Sequence, residues 1–212
     1  MLTALVDYDS GNLHSAQKAF ERMARETGSG EVVVTSDAAI VARADRIVLP
    51  GDGAFPACKA HLFEVSGMFE AIEESVTRRA VPFMGICVGM QMMARRGHEY
   101  RATEGFGWID AEVVKIAPTD PALKVPHMGW NDLVLDHPHP VLSGVQSGDH
   151  AYFVHSYHMR VTTPVQRLAY CDYGEQITAI VGRDTMVGCQ FHPEKSQAAG
   201  LRIIANFLNW AP

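Results

Sequence analysis

The segment Phe83-Met84-Gly85-Ile86-Cys87-Val88-Gly89-Met90-Gln91 runs an apolar, β-like stretch directly into a helical one, with a cysteine at the junction between two glycines. A chain with this pattern must turn sharply from strand to helix at the cysteine. That is the layout of a nucleophile elbow, in which the reactive side chain stands clear of the sheet at the positive end of a helix and its neighbours must lack bulk. Gly85 and Gly89 meet that need. A free thiol has a pKa of about 8.5, so a thiolate at neutral pH calls for the helix N-terminus and a basic partner.

The segments around the elbow set the fold class. Leu2 to Asp7 is a short apolar run; Asn12 to Glu26 has helical spacing through Leu13, Ala16, Phe20 and Met23; Glu31 to Thr35 is a Val-rich strand. Arg46 to Leu49 reads as a buried strand that stops at Pro50-Gly51, Gly67 to Arg79 as a helix, and Val81 to Ile86 as the strand before the elbow. This β-α-β-α order predicts an α/β protein with a mostly parallel central sheet flanked by helices. From Gly105 to Gly188 the apolar runs come closer together, with turn signals at Pro118-Thr119-Asp120-Pro121, His137-Pro138-His139-Pro140 and Ser147-Gly148-Asp149, so additional antiparallel or mixed strands are expected there. Thr185 to Gln190 is a further strand, and Ser196 is placed to N-cap a last helix.

Length and charge narrow the function. The chain has 212 residues, 47% of them hydrophobic, enough for one substantial core and short for two. Its 18 basic and 24 acidic residues leave a net charge of −6 with no Lys/Arg-rich run, which argues against a nucleic-acid partner. No apolar run approaches the roughly 20 residues of a membrane span, and the start turns acidic at Asp7. Cys58, Cys87, Cys171 and Cys189 form no C-x-x-C, so neither a disulfide framework nor a thiolate metal site is expected, and a cytoplasmic, reducing setting fits. Proline-spaced His137 and His139, and His155 with His158, read as turn and strand residues rather than metal ligands.

Among ten histidines, His192 has the most telling context, Cys189-Gln190-Phe191-His192-Pro193-Glu194 at a strand end. Pro193 restricts its predecessor to extended backbone, and Glu194 is close enough to fold back on the imidazole, fixing its tautomer as the orienting acid of a triad does. Acyl transfer also needs oxyanion donors, normally the backbone N–H after the nucleophile, here Val88, and one from a neighbouring loop. Pro50-Gly51-Asp52-Gly53-Ala54 is the natural loop, and its glycines admit a peptide flip.

With Gly85-Ile86-Cys87-Val88-Gly89-Met90-Gln91 and His192-Pro193-Glu194 in place, the chain resembles the class I, or triad, glutamine amidotransferases, over essentially its whole length as one domain, 1–212. Within that family it is most similar to the members that feed a (β/α)8-barrel cyclase in histidine biosynthesis. Asp7-Tyr8-Asp9-Ser10-Gly11-Asn12-Leu13, Pro126-His127-Met128-Gly129-Trp130-Asn131 and Tyr152-Phe153-Val154-His155-Ser156-Tyr157 carry this narrower likeness. The resemblance implies a Cys87, His192, Glu194 triad that hydrolyses L-glutamine to glutamate and ammonia without a cofactor or metal. It implies an oxyanion hole from the backbone at Asp52, Gly53 and Val88, and substrate contacts from Gly51, Gln91, Ser156 and Tyr157. It also implies a heterodimer with the cyclase, which uses the ammonia to make imidazole glycerol phosphate and an aminoimidazole carboxamide ribotide, with Asn12, Trp130, Tyr152 and Lys195 at the contact. Read from the residues alone, Trp130 could equally fill the core under the antiparallel strands. The chain departs from the family at Asp52, where a valine is usual; a carboxylate facing the oxyanion would oppose it, so Asp52 is expected to point outwards.

Three other readings of the elbow stand beside this one. A cysteine α/β-hydrolase would take its acid from Asp172 or Asp184, a stand-alone γ-glutamyl hydrolase would need no partner, and an oxidant sensor would leave glutamine untouched.

Overall fold

The computed structural model describes residues 1–9 and 13–212, so the interface expectation for Asn12 lies outside the described residues. Strands β1 (Leu2–Val6), β2 (Glu31–Thr35), β3 (Arg46–Gly51) and β4 (Phe83–Cys87) alternate with helices α1 (His14–Thr27), α2 (Ala38–Val41), α3 (Phe55–Glu64) and α4 (Met68–Glu73). The short elbow helix α5 (Val88–Gln91) follows β4 at once. Nine more strands then run as β5 (Ala94–Gly97), β6 (Thr103–Glu104), β7 (Ile109–Lys115), β8 (His127–Asp132), β9 (Val134–Leu135), β10 (His150–His155), β11 (Tyr157–Val161), β12 (Arg167–Asp172) and β13 (Gln176–Arg183). Strand β14 (Met186–Cys189) and helix α6 (Gln197–Asn209) close the chain.

The main sheet has eight strands in the order β2-β1-β3-β4-β14-β13-β12-β9. Its first five strands are parallel and the rest antiparallel. Helix α1 packs on α6, and α4 packs on α2 and α3. The sequence shows why α1 faces inward as it does: Ala16, Ala19, Phe20, Met23 and Ala24 recur at helical spacing and are buried, and Gly28 ends the helix at φ 66°. Arg46 ties the other end of this layer together, its buried guanidinium donating to the carbonyls of Phe207 and Trp210 at the end of α6. A second sheet, β11-β7-β5-β6, and a separate antiparallel ribbon, β10-β8, form the expected mixed region.

Several boundaries differ from the sequence reading. β3 continues through Pro50 and Gly51 instead of stopping before them. Its pairing to β1 has ended at Val48, so the missing proline N–H breaks no ladder bond on that side, and Pro50 still pairs in register with Ile86. The helix expected over 67–79 is α4 followed by a wider π-helical turn, Glu74–Arg78. α3 was not anticipated; it carries Pro56 in its first turn, where no intrahelical N–H is needed, and the N–H of Phe55 finds its acceptor on Glu99 Oε2 at 2.8 Å. Ser196 begins α6 without a side-chain cap, because its hydroxyl donates to the His192 carbonyl and accepts from the N–H of Tyr152. Among the described residues no helix is long and apolar enough to cross a membrane.

Candidate active site

The carboxyl ends of β3, β4 and β14 meet at one edge of the main sheet, the position at which open α/β sheets bind ligands. Register does the placing: Gly51 pairs with Cys87, and Cys189 with Ile86, so the loop after β3, the cysteine and the His192 turn adjoin one another. Cys87 has φ 54° and ψ −113°, a strained backbone for a non-glycine residue and the conformation an elbow requires. The strain is possible because the elbow helix drops almost onto β3. A Cβ on Gly89 would lie 1.8 Å from the Leu49 carbonyl oxygen, so only glycine allows that approach.

His192 is buried and its Nδ1 lies 2.9 Å from Glu194 Oε1, while the imidazole also faces the Cys87 sulfur. Burial alone would lower the imidazole pKa; the hydrogen bonds and charges of Cys87 and Glu194 outweigh it and raise the value to about 10. The histidine's acid partner is thus Glu194, whereas Asp184 pairs with Arg183 at the surface. Gln190, fully buried just upstream, donates from Nε2 towards Cys87 Sγ at 3.8 Å.

Cys87 opens into a cavity of about 250 Å3 lined by Asp52, Gly53, Val88, Gln91, Glu99, Pro126, Ser156 and Tyr157 among others. Gln91 spends both amide hydrogens on protein, one on the Tyr157 carbonyl at 2.9 Å and one on Gln190 Oε1 at 3.0 Å, which leaves its Oε1 to accept from a ligand. Gly53 sits at φ 131°, a backbone open essentially to glycine. Asp52 is exposed at the rim of this cavity, and its carbonyl accepts from the Cys58 thiol at 3.6 Å. Burial, with Cys87, Asp52 and Glu99 nearby, pushes the Cys58 thiol up to about 12. Burial likewise raises Cys171 to about 12 and Cys189 further.

The expected site residues therefore fall in two groups. Asp52, Gly53, Cys87, Val88, Gln91, Ser156 and Tyr157 line the cavity, while Gly51, His192 and Glu194 line a small neighbouring one that shares Asp52 with it and that Lys195 also borders. Trp130, Tyr152 and Lys195 lie outside the Cys87 cavity: Trp130 is 48% exposed, so it does not fill the core, and its ring meets Tyr152 edge-on with centroids 5.8 Å apart. Lys195 is exposed on the turn that follows the His192 strand end. Sequence reasoning missed Glu99 and Gln190. Glu99 is unremarkable in a polar loop, and only the fold brings it to the cavity; Gln190 is adjacent to the His-Pro-Glu run and could have been found from strand alternation. No group of three or more metal-ligating side chains occurs among the described residues.

An elbow cysteine, a histidine bonded to glutamate and a glycine-bearing loop at this end of an α/β sheet are the features of the class I glutamine amidotransferases. The family model described as "Glutamine amidotransferase class-I" matches residues 5–210, and the chain belongs to that family. It is 72% identical to imidazole glycerol phosphate synthase subunit HisH of Cereibacter sphaeroides and 67% identical to that of Ruegeria pomeroyi, each over 212 residues and the whole of both chains. The fold is shared with a solved glutamine amidotransferase (TM-score 0.73, 18% identity, 98% of this chain and 99% of that one). It is also shared with PurLQS from Thermotoga maritima (TM-score 0.68, 16% identity, 98% and 97% covered).

Proposed function

We propose that the chain, as one domain over 1–212, hydrolyses L-glutamine to glutamate and ammonia and passes the ammonia to a (β/α)8-barrel cyclase, as the glutaminase subunit of an imidazole glycerol phosphate synthase. The observation that carries this reading is the convergence of strained Cys87, in the wall of the cavity, with His192, whose Nδ1 is 2.9 Å from Glu194 Oε1. The names of its full-length relatives support the choice of synthase.

The Cys87 sulfur attacks the glutamine side-chain carbonyl carbon, and the oxygen takes the negative charge, accepting from the backbone N–H of Val88 and of Gly53. Imidazolium His192 gives its proton to the amide nitrogen as the C–N bond breaks, releasing ammonia and leaving a γ-glutamyl thioester. Neutral His192 then takes a proton from water, whose oxygen displaces the thiolate and yields glutamate. Glu194 keeps the Nδ1 proton in place and steadies each imidazolium. Gln91 Oε1 accepts from the substrate, and Glu99 supplies the cavity with a carboxylate for the substrate ammonium, the role most natural for an acid in the pocket of an amino acid.

Ammonia set free in water is largely protonated and lost as a nucleophile, so the half-reaction calls for an adjoining acceptor site. The exposed Met128, Trp130 and Lys195, with Tyr152 beside them, form the aromatic and cationic surface suited to it. Glutamate release by the chain alone and with the matching cyclase and its nucleotide ligand, with Cys87→Ala as the blank, tests the reading. Strong stimulation by the liganded cyclase is expected; full activity without a partner points to a stand-alone hydrolase, and none in either condition overturns the assignment.

A further inference from the structure

Two buried histidines that the chemistry does not use run inward from the wall of the glutamine cavity, His155 lining it and His127 behind. His155 Nδ1 is 2.8 Å from the Tyr157 carbonyl oxygen, so that nitrogen must carry a proton and donate it. Both histidines are buried, and desolvation lowers His155 to about 3 and His127 to about 4, so both rings are neutral near neutral pH. Neutral His155 can then only accept at Nε2, and it does so from His127 Nδ1 at 3.2 Å. His127 in turn accepts at Nε2 from the amide of Asn131 at 3.3 Å. That amide's orientation is settled by its other bonds: Nδ2 donates to the Asp172 carbonyl at 2.9 Å and Oδ1 accepts from the N–H of Asp132 at 2.8 Å. Each hydrogen bond in the line fixes the direction of the next.

The line is held rigidly and ends on the cavity. The His127 ring is stacked between Tyr173 (centroids 4.0 Å apart, 28°) and Phe153 (4.8 Å, 21°). Strand alternation puts His127 and Asn131 on the inner face of β8, opposite exposed Met128 and Trp130. At the far end the Tyr157 carbonyl takes two donors, His155 Nδ1 and Gln91 Nε2, filling both lone pairs.

We propose that Asn131, His127 and His155 form a one-directional hydrogen-bond relay that orients the Tyr157 carbonyl, and through it the Gln91 amide, for glutamine binding. They are positioning residues and touch no reacting atom in this scheme. The binding part of the proposal rests on the glutaminase reading above; the direction of the relay does not.

Histidine ring tautomers, read by long-range proton–nitrogen correlation NMR on the intact chain near neutral pH, test the direction. Both rings are expected neutral with the proton on Nδ1; a proton on Nε2 of either ring overturns the relay, and no variant is needed to learn this. Asn131→Asp, which sets an acceptor against His127 Nε2, tests the consequence in the cyclase complex. The expected outcome is a proton appearing on His127 Nε2 and a KM for glutamine raised about tenfold, with kcat changed less than about threefold, in a variant that still melts cooperatively. An unchanged KM, or a fall confined to kcat, overturns the positioning role. If the wild-type chain releases no glutamate above the Cys87→Ala blank, alone or with the cyclase, the glutaminase reading fails instead, while the wild-type tautomers continue to decide the relay.

Discussion

The main-chain N–H of His192 donates to the carbonyl of Tyr152 at 3.1 Å, and the N–H of Tyr152 is in turn bonded to Ser196 Oγ at 3.0 Å. The His192 turn is thereby fastened to the outer ribbon independently of the His192 and Tyr152 side chains. Tyr152 pairs with Trp130 across the ribbon, so the exposed aromatic surface and the His192 loop belong to one hydrogen-bonded unit.

Ser196→Ala removes both hydroxyl bonds of this junction, to the His192 carbonyl and from the Tyr152 N–H, in a buried position. The His192 carbonyl keeps the N–H of Lys195, so the buried group left unmatched is the Tyr152 N–H, at a cost of about 1–3 kcal/mol. Stability from urea unfolding should fall by about 2 kcal/mol, with a loss of turnover as the His192 turn loosens. Unchanged stability would mean that the hydroxyl does not carry the junction.

Glu194→Gln keeps an oxygen opposite His192 Nδ1 but removes the charge. His192 is raised to about 10 partly by that carboxylate, so its pKa should drop and the alkaline limb of the pH profile of kcat/KM should move to lower pH. Turnover should fall by about 10²–10⁴, the range for a mispositioned general acid–base. A profile that does not move would place the orienting acid elsewhere.

How much of this was legible in the residues depends on whether the determinant is local. The elbow was, because glycine spacing around Cys87 and the proline after His192 constrain backbone directly. The exchange from parallel to antiparallel strands was visible in the turn signals after Gly105. Glu99 was not, because its two roles, accepting from Phe55 N–H across 44 positions and lining the cavity, exist only once the chain has folded. Ser196 misled for a related reason: its composition suits an N-cap, but tertiary partners at His192 and Tyr152 compete for the hydroxyl and win. Asp52 was expected to point outwards from the electrostatics of an oxyanion; the residue is exposed, and it also lines the cavity into which Cys87 opens.

Gly89→Ala would set a methyl group 1.8 Å from the Leu49 carbonyl oxygen, a backbone atom of a central strand that cannot yield cheaply. The elbow helix would have to lift from β3 and carry Val88 with it. A loss of about 3 kcal/mol in urea unfolding and an almost complete loss of glutamate release are expected. A variant that retains both would show that α5 has freedom the packing denies it.

Trp130→Ala separates contact from core. The ring is 48% exposed, so folding stability should change by less than about 1 kcal/mol, while affinity for the cyclase should weaken by about 2 kcal/mol or more if the ring is an anchor of that contact. Titration calorimetry on the two subunits, beside urea unfolding of the chain alone, distinguishes these. A large stability loss with unchanged affinity would return Trp130 to the role of a packing residue.

Acid should unfold the chain for a reason located in three side chains. Burial lowers His155 to about 3 and His127 and His158 to about 4, each well under the ordinary 6.5. Between those values the unfolded chain binds protons that the folded chain refuses, so stability is full above the ordinary imidazole pKa and drains away as pH falls through the folded values. Moving from about pH 7 to about pH 5 should cost roughly 2 kcal/mol per histidine. His192 works in the opposite sense: raised to about 10, it contributes stability below its unfolded pKa that is lost as pH rises towards 10. Urea midpoints across the range should therefore fall on both sides of neutrality. The acid limb should shrink in His158→Gln, which removes one titrating ring from beside Glu175 without touching the glutamine cavity. An acid limb of unchanged depth in that variant would show that His158 is not one of the groups that drives it.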